Sequence, residues 1–228
     1  MTAGWTCAYC GGAAFRGEHV AREAMFGLDG RFTYRECSHC GSWTIASVPG
    51  DLARYYPAQY QSLGSADDPP LKRWLKRRRF EASRGAPDLI GRLLLARFGP
   101  PNIGTWLEPL ALGRESAILD VGSGNGHLLA QLRDVGFRRL TGVDPFIAPD
   151  AARAGITLLR GEIDQVAGRY DLVMFHHSLE HTRDPARDLA AAAARLVDQG
   201  HVLVRIPLVG SQAQRHYGVN WSQLDAPR

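Results

Sequence analysis

The chain has 228 residues, of which 45% are hydrophobic, so it can bury a sizeable core as one main domain with a smaller appendage. It contains no apolar stretch near the roughly 18 residues of a membrane span, and no basic start followed by an apolar run. We therefore expect a cytoplasmic protein. The formal net charge is +4, but six positive residues fall within 72–79. The basic character is local, which argues against a nucleic-acid-binding protein.

The four cysteines form two Cys-x-x-Cys pairs near the N-terminus, Cys7 with Cys10 and Cys37 with Cys40, and glycine follows each pair. Two such pairs can place four thiolates around one zinc ion with tetrahedral geometry. Two disulfides or a redox-active dithiol are the alternatives, but the short spacing strains a disulfide and a cytosolic setting keeps thiols reduced. The pattern predicts a zinc ribbon with a structural zinc ion bound by all four cysteines. A strand at Arg31–Arg35 is predicted to lead into the second pair.

Two amphipathic helices are predicted next, from the spacing of apolar residues over 71–79 and 89–98. The first carries all six basic residues, Lys72, Arg73, Lys76, Arg77, Arg78 and Arg79. A solvated helix face is the favoured interpretation of this basic run. Binding of an anionic substrate, such as a diphosphate-linked sugar, and binding of an anionic membrane surface are the functional alternatives.

The stretch Ala117–Gly126 predicts a buried strand and a tight glycine turn, and the leucines after it predict a helix that ends at Gly136. Backbone amides in such a turn can approach a ligand closely, and the helix N-terminus favours negative charge. The dinucleotide pattern G-x-G-x-x-G fails because His127 stands where its third glycine belongs. The next strand ends at Asp144, about 20 residues after Gly124, where a carboxylate can bind ribose hydroxyls.

These residues, LDVGSGNG followed by GVD, resemble the class I S-adenosylmethionine-dependent methyltransferases. The resemblance implies that the glycine turn holds the methionine part of S-adenosylmethionine and that a carboxylate holds its ribose. The implied cofactor-binding residues are Asp120, Gly122, Ser123, Gly124, Asn125, Gly126, Asp144 and, facing the adenine, Glu162. A purely structural glycine turn and an exposed loop glutamate are the alternative interpretations.

Helical patterns separate most of the predicted strands, so we expect an α/β fold with a doubly wound, mostly parallel, Rossmann-like sheet. The strands are predicted at 117–121, 139–143, 156–160, 170–175 and 201–206. The resembling family finishes its sheet with a helix and an antiparallel strand pair, for which too few residues follow Pro207. We therefore expect the sheet to lack its last two strands. The unpaired edge at 201–206 would then favour a homo-oligomer.

A run of polar residues follows the fourth predicted strand and contains three histidines, from His176 to His181. Ligands of open α/β sheets bind at the carboxyl ends of strands, so this run should border the reacting sulfonium. Its end, Leu-Glu-His, resembles a loop of the same family. A base is needed only if the acceptor must lose a proton, and His181 is our first candidate for that base and His177 the second. Alternatively, Glu180 and His181 brace the loop.

A zinc ribbon ahead of such a domain is similar to the arrangement in sugar-nucleotide C-methyltransferases and in many bacterial small-molecule methyltransferases. The resemblance implies an enzyme that methylates a small molecule, such as a sugar nucleotide or a natural-product intermediate. Its segments would be the ribbon (1–61), linking helices (62–112) and the S-adenosylmethionine-binding domain (113–228). The alternatives are a non-catalytic zinc- and nucleotide-binding module, and a methyltransferase acting on nucleic acid or protein. The chain lacks the Asn/Asp-Pro-Pro-aromatic tetrapeptide of base-modifying enzymes, which counts against nucleic acid.

Overall fold

The computed structural model describes residues 4–55, 68–147 and 153–227. These fall into two compact units. The first unit comprises the described residues of Met1–Tyr60, Leu179–Leu189 and Ile206–Arg228, and the second those of Gln61–Ser178 and Ala190–Arg205. Within the described ranges, no helix is long and apolar enough to cross a membrane.

The first unit contains a three-stranded antiparallel sheet with the strand order β1-β2-β3. The strands are β1 (Phe15–Arg22), β2 (Arg31–Cys37) and β3 (Trp43–Ile45), and a short 3-10 helix follows at Leu52–Tyr55. The predicted strand at Arg31–Arg35 is confirmed. It continues to Cys37, so the second cysteine pair begins on the strand itself.

A small core in the first unit joins the two ends of the chain. Phe32 of β2 packs edge-on against Tyr55 with ring centroids 5.3 Å apart, and the Tyr55 hydroxyl donates to the backbone oxygen of Asp29 at 3.0 Å. Ala226 belongs to the same cluster and is only 3% exposed. A residue near the end of the sequence therefore completes the core of the N-terminal sheet.

The second unit contains a parallel five-stranded sheet with the strand order β6-β5-β4-β7-β8. The strands are β4 (Ala117–Val121), β5 (Arg139–Asp144), β6 (Thr157–Arg160), β7 (Tyr170–His176) and β8 (Leu196–Arg205). The chain winds outwards from β4 in one direction and then in the other, so the strand order reverses beside β4. Ligands of doubly wound sheets bind at such a reversal. The predicted α/β fold is confirmed.

Helices precede the sheet, separate several of its strands and follow it. They are α1 (Pro70–Ser83), α2 (Leu89–Phe98), α3 (Asn102–Leu107), α4 (His127–Val135), α5 (Pro185–Ala193) and α6 (Gln212–Tyr217). One face of the parallel sheet packs against α1, α3 and α4 through a continuous apolar core. Its members include Phe80, Leu107, Ile118, Leu129, Leu132 and Leu172. Burial of side chains of this size, at about 1.5–3 kcal/mol each, holds β4 and β7 in place.

Helix α2 lies where the sequence predicts it, but its apolar residues do not form a buried face. Leu89 and Leu93 are 82% and 72% exposed. The helix instead approaches α1 through Gly91, where a Cβ atom would overlap the backbone oxygen of Arg78 and lie 2.8 Å from the Cβ of Ala82. A glycine contact between helix backbones leaves little trace in hydrophobic periodicity, which is why the pattern did not reveal it.

The basic run on α1 makes mostly local contacts. Lys72 and Lys76 both pair with Asp68, and Arg77 pairs with Glu81 at 3.1 Å. Two further arginines tie α1 to α2 and the turn after it, because Arg78 contacts Asp88 at 3.4 Å and Arg79 donates to the backbone oxygen of Gly99 at 2.8 Å. These contacts favour the interpretation of a helix face neutralised within its own unit.

Strand β8 begins earlier than predicted, at Leu196 instead of His201. Its pairing with β7 shifts register, since Leu196 lies opposite Tyr170 and His201 opposite Leu172. The extra residues bulge between these two pairs, with Gln199 at a φ of 63°. A register shift depends on the neighbouring strand, so the local sequence could not reveal it.

Candidate active site and metal centre

The turn after β4 is held close to the loop after β7. Gly122 has a φ of +74°, and a Cβ atom there would overlap the Cβ of Ser178 and lie 3.0 Å from its Oγ. The Ser178 hydroxyl donates to the backbone oxygen of Val121 at 2.6 Å. Gly124, by contrast, has a φ of +51° and open space where its Cβ would be. The turn therefore has room for a side chain at Gly124 but not at Gly122.

Asp144 connects the glycine turn to the end of β5. Its Oδ2 accepts a hydrogen bond from the amide of Gly124 at 3.0 Å, and its Oδ1 accepts one from the amide of Phe146 at 2.7 Å. The amides of Gly122 and Ser123 both donate to the backbone oxygen of Val143, at 2.8 and 3.2 Å. The predicted cofactor residues of the two motifs thus meet at the carboxyl ends of β4 and β5.

Asp120 is a buried acid two residues before the turn and is only 3% exposed. Burial, and after it the negative charge of Asp144, raise the pKa of Asp120 to about 8. Its carboxyl group is therefore largely protonated at neutral pH. A protonated carboxyl can donate a hydrogen bond, which an ionised one cannot.

Gly126 and Asn125 close the turn at the start of α4. Gly126 is the left-handed residue before the helix, which begins at His127. The backbone oxygen of Asn125 accepts a hydrogen bond from Nε of Arg153 at 2.6 Å. Arg153 therefore fixes the outer side of the turn, a contact that no motif in the sequence indicated.

A cluster of polar and aromatic side chains lies at the carboxyl ends of β7 and β8. Nη1 of Arg205 donates to Nε2 of His176 at 2.6 Å, and the guanidinium carbon lies 3.5 Å from the ring centroid of Trp106 on α3. The rings of His176 and His177 are 4.8 Å apart, and the amide of His177 donates to the backbone oxygen of Arg205 at 2.8 Å. Sequence reasoning missed Arg205 and Trp106. An arginine at the end of an otherwise apolar strand was the available signal.

Both strand-end histidines are held in the neutral form. Burial, followed by the charges of Arg205 and His177, lowers the pKa of His176 to about 4. Burial and then Arg205 also lower the pKa of His177. His177 has a φ of 54°, an uncommon conformation for a residue with a side chain. The residue as a whole is exposed, although its imidazole is partly desolvated. A neutral imidazole at this edge of the sheet can accept a proton.

Comparison with known proteins gives the chain its family. A family model described as a methyltransferase domain matches residues 84–228, more than half of the chain. The chain belongs to the methyltransferase-domain family. None of the curated proteins matches it.

Solved structures similar to this methyltransferase-domain protein are distant in sequence. The plantazolicin methyltransferase in complex with SAH shares 15% identity with a TM-score of 0.42, and the match covers 78% of this chain and 64% of that one. A SAM-dependent methyltransferase from Thermotoga maritima shares 19% identity with a TM-score of 0.41 over 67% of each chain.

Glu162, a predicted residue of the methyltransferase domain, has local contacts of its own. Glu162 starts a 3-10 helix at Ile163–Gln165, where its side chain accepts from the amide of Gln165. The Gln165 side chain in turn accepts from the amide of Glu162 at 2.9 Å. This reciprocal cap fixes the loop after β6, and contact of Glu162 with adenine stays a prediction.

The Leu-Glu-His loop forms a 3-10 helix at Leu179–His181 and belongs to the first unit. His181 is partly buried there. Burial raises the pKa of Glu180 to about 7, and the charge of Asp225 adds to the rise. Such a shifted carboxyl is typical of functional sites, although structural carboxyls also show it.

The four cysteines of the first unit converge on one point. Their Sγ atoms all lie within 4.8 Å of one another, with Cys7 and Cys40 at 3.7 Å and Cys10 and Cys37 at 3.6 Å. Four sulfurs bound tetrahedrally at about 2.3 Å from a zinc ion would be about 3.8 Å apart. Each pair turns tightly, because the amide of Gly11 donates to the oxygen of Cys7 and the amide of Gly41 to that of Cys37. The cysteines therefore have the spacing of a zinc centre.

The local environment shifts the pKa values of these thiols in opposite directions. Desolvation by burial raises the pKa of Cys7. Burial acts against the Cys40 thiolate too, but hydrogen bonds from Ser42 lower its pKa to about 6. Thiolates sharing one centre repel one another unless a metal ion neutralises them. Four cysteine ligands fill a tetrahedral site, which is the arrangement of structural zinc.

Proposed function

We propose that the protein is an S-adenosylmethionine-dependent methyltransferase that acts on a small-molecule acceptor and carries a structural zinc ion. The observation that carries the proposal is the hydrogen bond from the Gly124 amide to Asp144. It joins the turn after β4, a strand beside the reversal in strand order, to the end of β5. The bond thus connects the glycine turn with an acid suited to ribose. When bound, S-adenosylmethionine would supply an electrophilic methyl group.

The chain would hold this cofactor mainly through its backbone. The turn at Gly122, Gly124 and Asn125 would receive the methionine part, and Asp144 the ribose hydroxyls. The amide contact of Asp144 keeps its carboxylate oriented in the protein alone, so little rearrangement would be needed on binding. Glu162, fixed by its reciprocal cap, is the candidate for the adenine end.

Proton removal from the acceptor would fall to a histidine. His177 is exposed at the strand ends, and its lowered pKa keeps it neutral at physiological pH. His181 is the other candidate, on the neighbouring segment of the chain. An acceptor that needs no deprotonation would require only alignment, and alignment alone can contribute as much as about 7–11 kcal/mol.

Calorimetry with S-adenosylmethionine and its demethylated product tests the proposal. Asp144→Ala should weaken cofactor binding by about 1.5–3 kcal/mol, the scale for hydrogen bonds to a charged group. Asp198→Ala, an exposed acid in the β8 bulge, is the matched control and should bind as the wild type does. Equal affinities in both variants would contradict the cofactor site.

Turnover against a panel of acceptors, including sugar nucleotides and natural-product intermediates, tests the reaction itself. Methylated product should appear and require the cofactor. Cofactor binding without turnover on any acceptor would favour the non-catalytic binding module instead.

A further inference from the structure

Among the residues that the structure describes, no carboxylate offsets the positive charge of Arg205. Burial lowers its pKa, and among the described residues no carboxylate forms an ion pair with it. Among the described residues, its side chain contacts the uncharged Nε2 of His176 and the face of Trp106. A guanidinium has five N–H donors, and the bond to His176 engages one of them.

The surroundings keep the guanidinium charged, oriented and partly accessible. Stacking on Trp106 at 3.5 Å fixes its plane, and the hydrogen bond to His176 fixes its rotation in that plane. Arg205 is partly buried, where an ionic hydrogen bond is stronger than in bulk water. A planar fork fixed in this way matches the geometry of a carboxylate or phosphate.

The position of Arg205 relates it to the proposed reaction. Arg205 ends β8, next to the end of β7, and the amide of His177 donates to its backbone oxygen. Ser178, the residue after His177, contacts Gly122 of the glycine turn. Two consecutive residues, His177 and Ser178, therefore connect Arg205 with the glycine turn.

We infer that Arg205 binds an anionic group of the methyl acceptor, a phosphate or a carboxylate. The inference rests on the proposed function, because it assigns a substrate class to the same sheet edge. Trp106 and His176 are positioning residues that hold the guanidinium. An acceptor bound in this way would lie with its anion at β8 and its reacting atom towards the glycine turn.

Calorimetry with two probes, inorganic pyrophosphate and succinate, tests this site in a buffer free of other multivalent anions. We expect at least one probe to bind the wild type with a Kd of about 0.1–1 mM, and the preferred probe distinguishes phosphate from carboxylate. Arg205→Gln should weaken binding about 10- to 100-fold. Arg139→Gln is the matched control, because Arg139 is exposed at the opposite end of the sheet, where β5 begins.

Arg205→Lys keeps the charge without the fork and provides a second test if Arg205→Gln does not fold. We expect its affinity to lie between those of the wild type and Arg205→Gln. Absence of binding of both probes to the wild type would overturn the inference, as would wild-type affinity in both Arg205 variants. SAH is titrated in parallel. If SAH does not bind to the wild type, the proposed function is overturned. The inference about Arg205 is tested separately, by the binding of pyrophosphate and succinate.

Discussion

Gly122 lies so close to Ser178 that a Cβ atom on the glycine would overlap the serine Cβ. The two residues come from the turn after β4 and the loop after β7, the strands on either side of the reversal in strand order. The close approach of Gly122 to the Ser178 side chain makes the glycine turn depend on the histidine loop. Glycine at this position therefore has a packing role as well as a conformational one.

Gly122→Ala should destabilise the protein because it combines a φ of +74° with the overlap at Ser178. We expect a loss of about 2–4 kcal/mol, or roughly 5–15 °C in Tm for a chain of this size. Gly124→Ala is the control, since it has a similar φ but open space, and should lose only about 1 kcal/mol. Thermal unfolding checks the difference, and equal losses would contradict the packing role of Gly122.

The sequence predicted the strand, turn and helix over 117–135 because the residues that determine these elements are neighbours in the chain. Glycine spacing, apolar periodicity and the acid at Asp144 all lie within one stretch of chain. The contact of Arg205 with Trp106 joins β8 to α3 and depends on strand order. The exposure of the apolar residues of α2 follows from Gly91, a contact that periodicity does not record. Local patterns thus predicted the strand, the turn and the candidate cofactor residues, and long-range packing determined the other contacts of the candidate site.

Asp120 should make stability fall as pH rises. Its folded pKa of about 8 lies above the unfolded value of about 3.9, so the native state holds a proton that the unfolded chain has lost between these two pH values. The free energy of unfolding falls by up to about 1.4 kcal/mol for each pH unit in that window. Glu180, whose pKa is raised to about 7, acts in the same direction over its own, narrower window.

Asp120→Asn removes this dependence because the amide does not titrate. In urea unfolding between pH 5 and pH 8.5, the free energy of unfolding of the variant should rise relative to that of the wild type as pH rises. Parallel stability curves for the two proteins would mean that Asp120 is not protonated in the native state. Glu180→Gln, measured alongside, separates the contribution of Glu180.

Cys37→Ser should release the metal ion and unfold the first unit. Cys37 is fully buried, and its Sγ lies 3.6 Å from that of Cys10. We expect about one zinc ion per chain in the wild type and none in the variant, by elemental analysis. His39→Ala is the control, because His39 lies between the cysteines of the second pair and is exposed. A metal-free wild type with four titratable thiols would contradict the zinc centre.

The two candidate bases differ in a way that kinetics can resolve. Once an acceptor is known, replacement of the true base by glutamine should lower kcat by about 10²–10⁴ and leave cofactor affinity unchanged. His181 is our first candidate, so His181→Gln should show the larger loss. The pH profile gives an independent measure, because burial and Arg205 lower the pKa of His177. A reaction that used His177 would keep its rate below pH 6.5, the ordinary pKa of histidine. If His177→Gln removes turnover and the rate persists below pH 6.5, His177 is the base and our first assignment is wrong.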